Sequence, residues 1–187
     1  IKKKIKKIPV HQILSCVVIL IILFDLLRFA QKFTPFTNPV YLFPPTKTIS
    51  FLQKNIGNYR YMTTDSRIMP PNFSIMYHLQ TVDGYDPLYL RSYAELIAAS
   101  ERNQPNIQPP FGFNRIITPH NYDSKIIDLL GVKYVLSLSD INSPKLKKVF
   151  QEGETKIYQN TSVLPRAFFV EDSYSIPFGK KQQVIDT

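Results

Sequence analysis

VHQILSCVVILIILFDLLRFA, residues 10–30, decides how this chain is organised. From Ile13 to Phe24 it holds no charge, and Ser15 and Cys16 are its only weakly polar side chains. About 20 residues rising about 1.5 Å each make a helix of roughly 30 Å, the thickness of a bilayer's hydrocarbon core. Immediately before it stands IKKKIKKIP, where Lys2, Lys3, Lys4, Lys6 and Lys7 have no acidic neighbour. Those lysines supply +5 of the net charge of +9, which leaves +4 for everything after them. The positive-inside rule then predicts a cytoplasmic basic flank at 1–9, a transmembrane helix at 10–31 and an extracytoplasmic domain at 32–187.

Two other readings compete for the same stretch. A signal peptide also opens with basic and apolar regions, but no A-x-A-like cleavage site follows Phe24, where Asp25, Arg28 and Gln31 stand instead. A buried core helix would leave the charge asymmetry a coincidence. Asp25 and Arg28, three apart, share a face near the outer end; they either snorkel to the interface or meet other transmembrane helices. The chain opens on Ile1 and closes on QQVIDT, so both ends read as cut from a longer protein.

Composition narrows the rest. An apolar fraction of 44%, with 13 Phe and 11 Tyr, excludes a disordered chain because there is ample material to bury. A single cysteine excludes a disulfide framework and a multi-cysteine zinc site. A high overall pI suggests nucleic acid, but the charge is concentrated in front of the apolar run, so the expectation is membrane topology and no nucleic-acid partner.

Beyond the apolar run, TPFTNPVYLFPPT (34–46) is an extended exit rich in proline. Thr48 is expected to cap a short helix, ISFLQKN, and YRYMTT (59–64) alternates as a strand. Asn72 is expected to begin a short helix over 72–82. DGYDP (83–87) reads as a turn, with Gly84 free to take a positive φ and Pro87 holding Asp86 extended. LYLRSYAELIAASER (88–102) is a helix with Leu90, Tyr93, Leu96 and Ile97 on one stripe. NRIIT (114–118) is a strand, and Asn121 is expected to cap YDSKIIDLL, closed by Gly131 in the left-handed conformation. VKYVLSL (132–138) alternates as a strand, KVFQE-GE-TKIYQ forms a hairpin around Gly153, and RAFFV (166–170) is a further strand. Strands and helices mix, so the fold class is an α/β or α+β external domain preceded by one transmembrane helix.

Chemistry-bearing motifs are sparse. GxGxxG, GxxxxGK[ST], GxSxG, HExxH and CxxC do not occur in the sequence. Only His78 and His120 can meet outside the membrane, which makes a weak metal case, and no metal or cofactor is expected. Cys16 is expected to fill space inside the bilayer. The densest polar group on a constrained turn is Asp83, Tyr85 and Asp86, followed by Arg91. A carboxylate pair beside an arginine suits a sugar hydroxyl or a cation; alternatively Asp86 caps the next helix and Tyr85 plugs the core. Asn72-Phe-Ser and Asn160-Thr-Ser match the N-glycosylation pattern.

Three segments in order carry a family resemblance: GYDPLYLRSY (84–93), DLLGVKYVLS (128–137) and KVFQEGETKIYQNTSVLPRAFFV (148–170). Behind FDLLRFAQKFTPF and NPVYLFPPT, this order resembles the late part of YfhO-like bacterial membrane proteins. The resemblance implies a polytopic parent in the bacterial cytoplasmic membrane, similar to GT-C-type glycosyltransferases that take sugars from polyprenyl-phosphate carriers outside the membrane. It implies partners as well: the lipid bilayer, the parent's other transmembrane helices, and a polyprenyl-phosphate sugar or cell-envelope glycan. Such enzymes carry an acidic catalytic residue in a first external loop, which this sequence does not contain, so no catalytic residue transfers to it. The expectation is a non-catalytic piece of such a protein; the alternative is a single-pass anchored domain that binds a partner without catalysing a reaction.

Overall fold

The computed structural model describes residues 9–33, 38–107, 116–173, 175–177 and 179–186. The chain divides into two units, Ile1–Pro44 and Pro45–Thr187. The first is dominated by helix α1, Val10–Phe33, long and apolar enough to cross a membrane. None of its residues is buried, whereas a core helix would be. A 3₁₀ turn, Pro39–Tyr41, follows.

The second unit is the mixed α/β domain. It begins with α2, Lys47–Asn55, whose N-cap is Thr46, not Thr48: the Thr46 side chain accepts from the Ile49 N–H at 3.2 Å. Ile49 and Leu52, one turn apart, are buried. Strand β1, Arg60–Thr63, pairs in parallel with β4, Val132–Ser137. β4 pairs antiparallel with β6, Thr155–Asn160, and β6 with β5, Leu146–Glu152, giving the order β1-β4-β6-β5. The hairpin turn has Gly153 at φ 58° and no other positive φ, as a II′ turn requires. The edge strand β5 exposes Lys147 and Lys148, charges that discourage further pairing.

Apolar clusters cover both sheet faces. Leu52, Tyr61, Tyr134, Leu136 and Ile157 belong to one, Met62, Ile127, Val132, Val135 and Tyr158 to the other. Each fully buried aliphatic side chain contributes about 2 kcal/mol, so these clusters dominate the domain's stability. Val132 and Tyr134 fall into different clusters despite their even spacing. The cause is a bulge: Arg60 pairs with Val132 and Tyr61 with Tyr134, so Lys133 is an extra residue that switches the face.

Between β1 and β4 lie a 3₁₀ helix, Phe73–Tyr77; strand β2, Gly84–Tyr85; helix α3, Arg91–Arg102; strand β3, Ile116–Ile117, paired with β2; and helix α4, Lys125–Leu129. The element begun by Asn72 is thus shorter and tighter than expected, and Asn72 itself sits in the left-handed region with no side-chain cap. Helix α3 starts at Arg91, and Leu90, expected on its apolar stripe, is exposed. Helix α4 is capped by Ser124, which accepts from the Ile126 N–H at 3.2 Å, while Asn121 accepts from the Asp123 N–H in a turn of its own. Gly131 does take the left-handed conformation, at φ 69°. RAFFV forms no strand. Pro165, just before it, offers no N–H, and the outer edge of β1 is already bridged by Thr81 opposite Tyr61. A short helix α5, Lys181–Ile185, ends the described chain.

Candidate functional site

The turn that carries Asp83, Tyr85 and Asp86 is held from outside by Asn72. Its carboxamide accepts from the Tyr85 N–H at 3.1 Å and donates to the Tyr85 carbonyl at 2.7 Å, as a neighbouring strand would. Gly84 keeps an ordinary negative φ because β2 is extended there, so the expected left-handed glycine is not used. Tyr85 does not plug the core: it is 43% exposed.

Asp83 points inward. The Thr63 hydroxyl donates to Oδ2 at 2.8 Å, and the Thr81 hydroxyl donates to Oδ1. Burial outweighs these bonds and pushes the carboxyl up from its ordinary value. Two tyrosines line the same region. The Tyr61 hydroxyl donates to Met69 Sδ at 2.9 Å and is raised strongly by burial, with the Asp83 charge adding to it. The Tyr93 hydroxyl donates to the Val82 carbonyl and is pushed up to about 12, again chiefly by burial. This is an interior polar network, not an open pair of carboxylates.

Asp86 and Arg91 go elsewhere. Asp86 is exposed and accepts from the Leu88 N–H at 2.8 Å, a turn bond that leaves Leu90, with no side-chain cap, at the start of α3. Arg91 Nε donates to Glu95 Oε1 at 3.0 Å. Among the described residues no ion pair joins Arg91 to Asp83 or Asp86. The expected residues therefore share a stretch of chain, while the side-chain bonds of Asp83, Asp86 and Arg91 go to different partners.

Arg91 instead opens a groove of about 400 Å³ with Glu95, Gln104, Asn106, Lys181 and Gln182. Lys181 Nζ donates to Glu95 Oε2, and this bond, with Arg91 behind it, holds the Glu95 carboxyl below its ordinary value. One carboxylate between two cations, flanked by carboxamides, is chemistry that takes hydroxyls and amides. The four-residue spacing of Arg91 and Glu95 on a helix announces their pairing. Nothing local announces Lys181, which arrives from 86 residues away.

His78 and His120 are both exposed, and His120 is held through its backbone N–H, which donates to Glu101 Oε1 at 2.7 Å. Among the described residues no group of three His, Cys, Asp or Glu side chains is placed to hold a metal. Cys16 is a free thiol on α1. Both glycosylation patterns are occupied structurally. Asn72 is spent on Tyr85 and Ser74 is buried, while Asn160, only 1% exposed, donates to Asp128 Oδ1 at 2.7 Å and to the Val132 carbonyl at 3.0 Å.

Fold and groove together define a small mixed α/β domain on a chain whose first helix is able to span a bilayer. No family model, no curated protein and no solved structure matches the chain.

Proposed function

We propose that this chain is the membrane-anchored, extracytoplasmic and non-catalytic part of a polytopic bacterial membrane protein of the YfhO-like kind. Residues 1–9 lie in the cytoplasm, α1 crosses the cytoplasmic membrane, and the α/β domain packs over the parent's other transmembrane helices. The chemistry, transfer of a sugar from a polyprenyl-phosphate carrier, belongs to residues elsewhere in the parent. One observation carries the reading: α1 is a 24-residue apolar helix without a buried residue, preceded by five lysines. Such a surface is stable in lipid and costly in water.

A second reading has its own support in the groove of Arg91, Glu95 and Lys181. In it the domain is a single-pass anchored module that holds a cell-envelope glycan. The two share the same topology and differ in whether other spans of the parent are needed.

The topology is tested with Cys16→Ser chains carrying either Ile5→Cys or Glu154→Cys. A membrane-impermeant maleimide should label position 154 in intact cells and position 5 only after permeabilisation. Extraction of the chain by alkaline carbonate, or the opposite labelling, overturns the assignment. Isolation of the chain with further spans of the same reading frame supports the first reading. Binding of glycan fragments, lost on Glu95→Gln, supports the second.

A further inference from the structure

We infer that the loop 164–170, together with the guanidinium groups of Arg60 and Arg166, docks the domain onto an anionic phospholipid surface. This rests on the membrane-anchored reading above and adds to it a definite face of the domain and a definite lipid chemistry.

The loop is unusual in what it shows to water. Phe169 is 103% exposed, Val170 69% and Phe168 48%, three consecutive apolar side chains shown to water. Extending them into water is unfavourable, and exposed apolar groups of this density mark an interaction site. The loop's base is nonetheless fixed. The Leu164 N–H donates to the Asp128 carbonyl at 3.1 Å, and Arg166 Nη1 donates to Gln80 Oε1 at 2.8 Å and to the Asn58 carbonyl at 3.3 Å. The apolar tip is thus presented by a rigid mount, which lowers the entropy lost on docking.

At the base of the loop stand two like charges. Arg60 Nη1 donates to the Leu130 carbonyl at 2.7 Å, and the Arg60 backbone N–H donates to the Gly131 carbonyl at 2.8 Å. Arg166 packs on the same turn, since a Cβ added to Gly131 would lie 3.2 Å from Arg166 Cδ. Among the described residues neither guanidinium pairs with a carboxylate, and neither uses its Nε or Nη2. Arg166 sits close enough to hold Arg60 below its ordinary value, together with the larger effect of burial. Two adjacent cations with spare donors want an oxyanion, and a phosphate accepts from both.

A phospholipid surface supplies both demands in adjoining layers: phosphate for the guanidiniums and acyl chain for the phenylalanines. It is also within reach. On the membrane-anchored reading, the 11 residues 34–44 limit the tether to at most about 40 Å. A soluble anion would satisfy the arginines and leave the aromatic tip in water. A protein partner would need an acidic apolar pocket of its own.

The test uses the full chain with Cys16→Ser and a fluorophore on Val170→Cys, reconstituted in nanodiscs with or without phosphatidylglycerol; Glu154→Cys is the control position. The expected result is quenching of the 170 probe, and not the 154 probe, by lipid-borne nitroxide, stronger when phosphatidylglycerol is present. Arg60→Gln and Arg166→Gln should each lower the docked-to-undocked ratio about five-fold. Raising the salt concentration on the unsubstituted arginines should act in the same direction, which reads the charge without disturbing the loop's mount. Quenching by aqueous iodide but not by lipid overturns the proposal. A probe shielded from both quenchers overturns it too and points to a protein surface, and quenching indifferent to charge and salt removes the arginines from it. Failure of the chain to enter nanodiscs at all would instead count against the membrane-anchored reading.

Discussion

Glu152, the last residue of β5, closes the N-terminal turn of α2 by accepting from both the backbone N–H of Thr48, at 2.7 Å, and its hydroxyl, at 2.8 Å. Oε1 also accepts from the Lys47 N–H at 3.2 Å. The carboxylate thus serves two of the orphan donors of a helix start and sits at the positive end of its dipole. These bonds hold Glu152 below its ordinary value. A carboxyl lowered in the fold contributes stability that is present above its unfolded value and is lost as pH falls through the folded one. Glu152→Gln should therefore lower Tm at neutral pH and narrow its gap to the unsubstituted protein in acid. A gap that is constant from neutral pH down to strongly acidic conditions in thermal melts would show that the carboxylate charge plays no part.

Asn160 is the interior counterpart. Its amide joins Asp128 and the Val132 carbonyl, and Asp128 Oδ1 also receives Lys145 Nζ at 2.8 Å. Asn160→Ala leaves the Val132 carbonyl without that donor in the core and weakens the hold on α4. The expected loss is about 2 kcal/mol in urea unfolding, within the range for an unsatisfied buried polar group. A change under about 0.5 kcal/mol, the size of an ordinary surface effect, would mean that the site relaxes or admits water.

Gly131 terminates α4 at φ 69° and lies under Arg166. Gly131→Ala should cost about 1–2 kcal/mol for the left-handed backbone alone. The new methyl would also stand 3.2 Å from Arg166 Cδ, so the side chain that anchors the base of the loop must give by a few tenths of an ångström, while the Leu164 carbonyl at 3.7 Å stays in ordinary contact. Urea unfolding gives the first effect. Faster proteolysis within 164–170 in the folded variant would report the second.

Some of this was legible in the chain and some was not, for reasons that particular residues make plain. The hairpin around Gly153 and the strand of 132–138 follow from turn chemistry and apolar density over a few residues. The two helices are capped by Thr46 and Ser124, which compete with Thr48 and Asn121 a few positions away, and tertiary partners choose between them. Thr48 is taken by Glu152 from across the domain. RAFFV has the composition of a strand, but pairing needs a free edge, and a sequence does not show that Thr81 bridges β1. The polar residues of the turn part for the same reason. Asp83, Asp86 and Arg91 are near in sequence, but backbone direction sends them to a threonine pair, a turn and a glutamate.

Asp83 gives the sharpest test of that interior network. In the unfolded chain its carboxyl ionises near the ordinary value of 3.8, while burial in the fold keeps the proton to higher pH. Between those two points the folded state binds the extra proton, so the stability of the unsubstituted protein must fall as pH rises. The sign is opposite to that of Glu152, which separates the two groups experimentally. Asp83→Asn replaces the carboxyl by an uncharged group of the same shape and still offers an acceptor to Thr63 or Thr81. It should remove the downward slope above pH 3.8, so that the variant gains on the parent as pH rises toward neutrality. Asp83→Leu should instead destabilise at every pH, because two threonine hydroxyls lose their acceptor. Urea unfolding of all three proteins across the pH series decides the matter. An unchanged slope in Asp83→Asn would mean that the carboxylate is ionised and at ease in the fold, and that the Thr63–Asp83–Thr81 arrangement is a charged site after all.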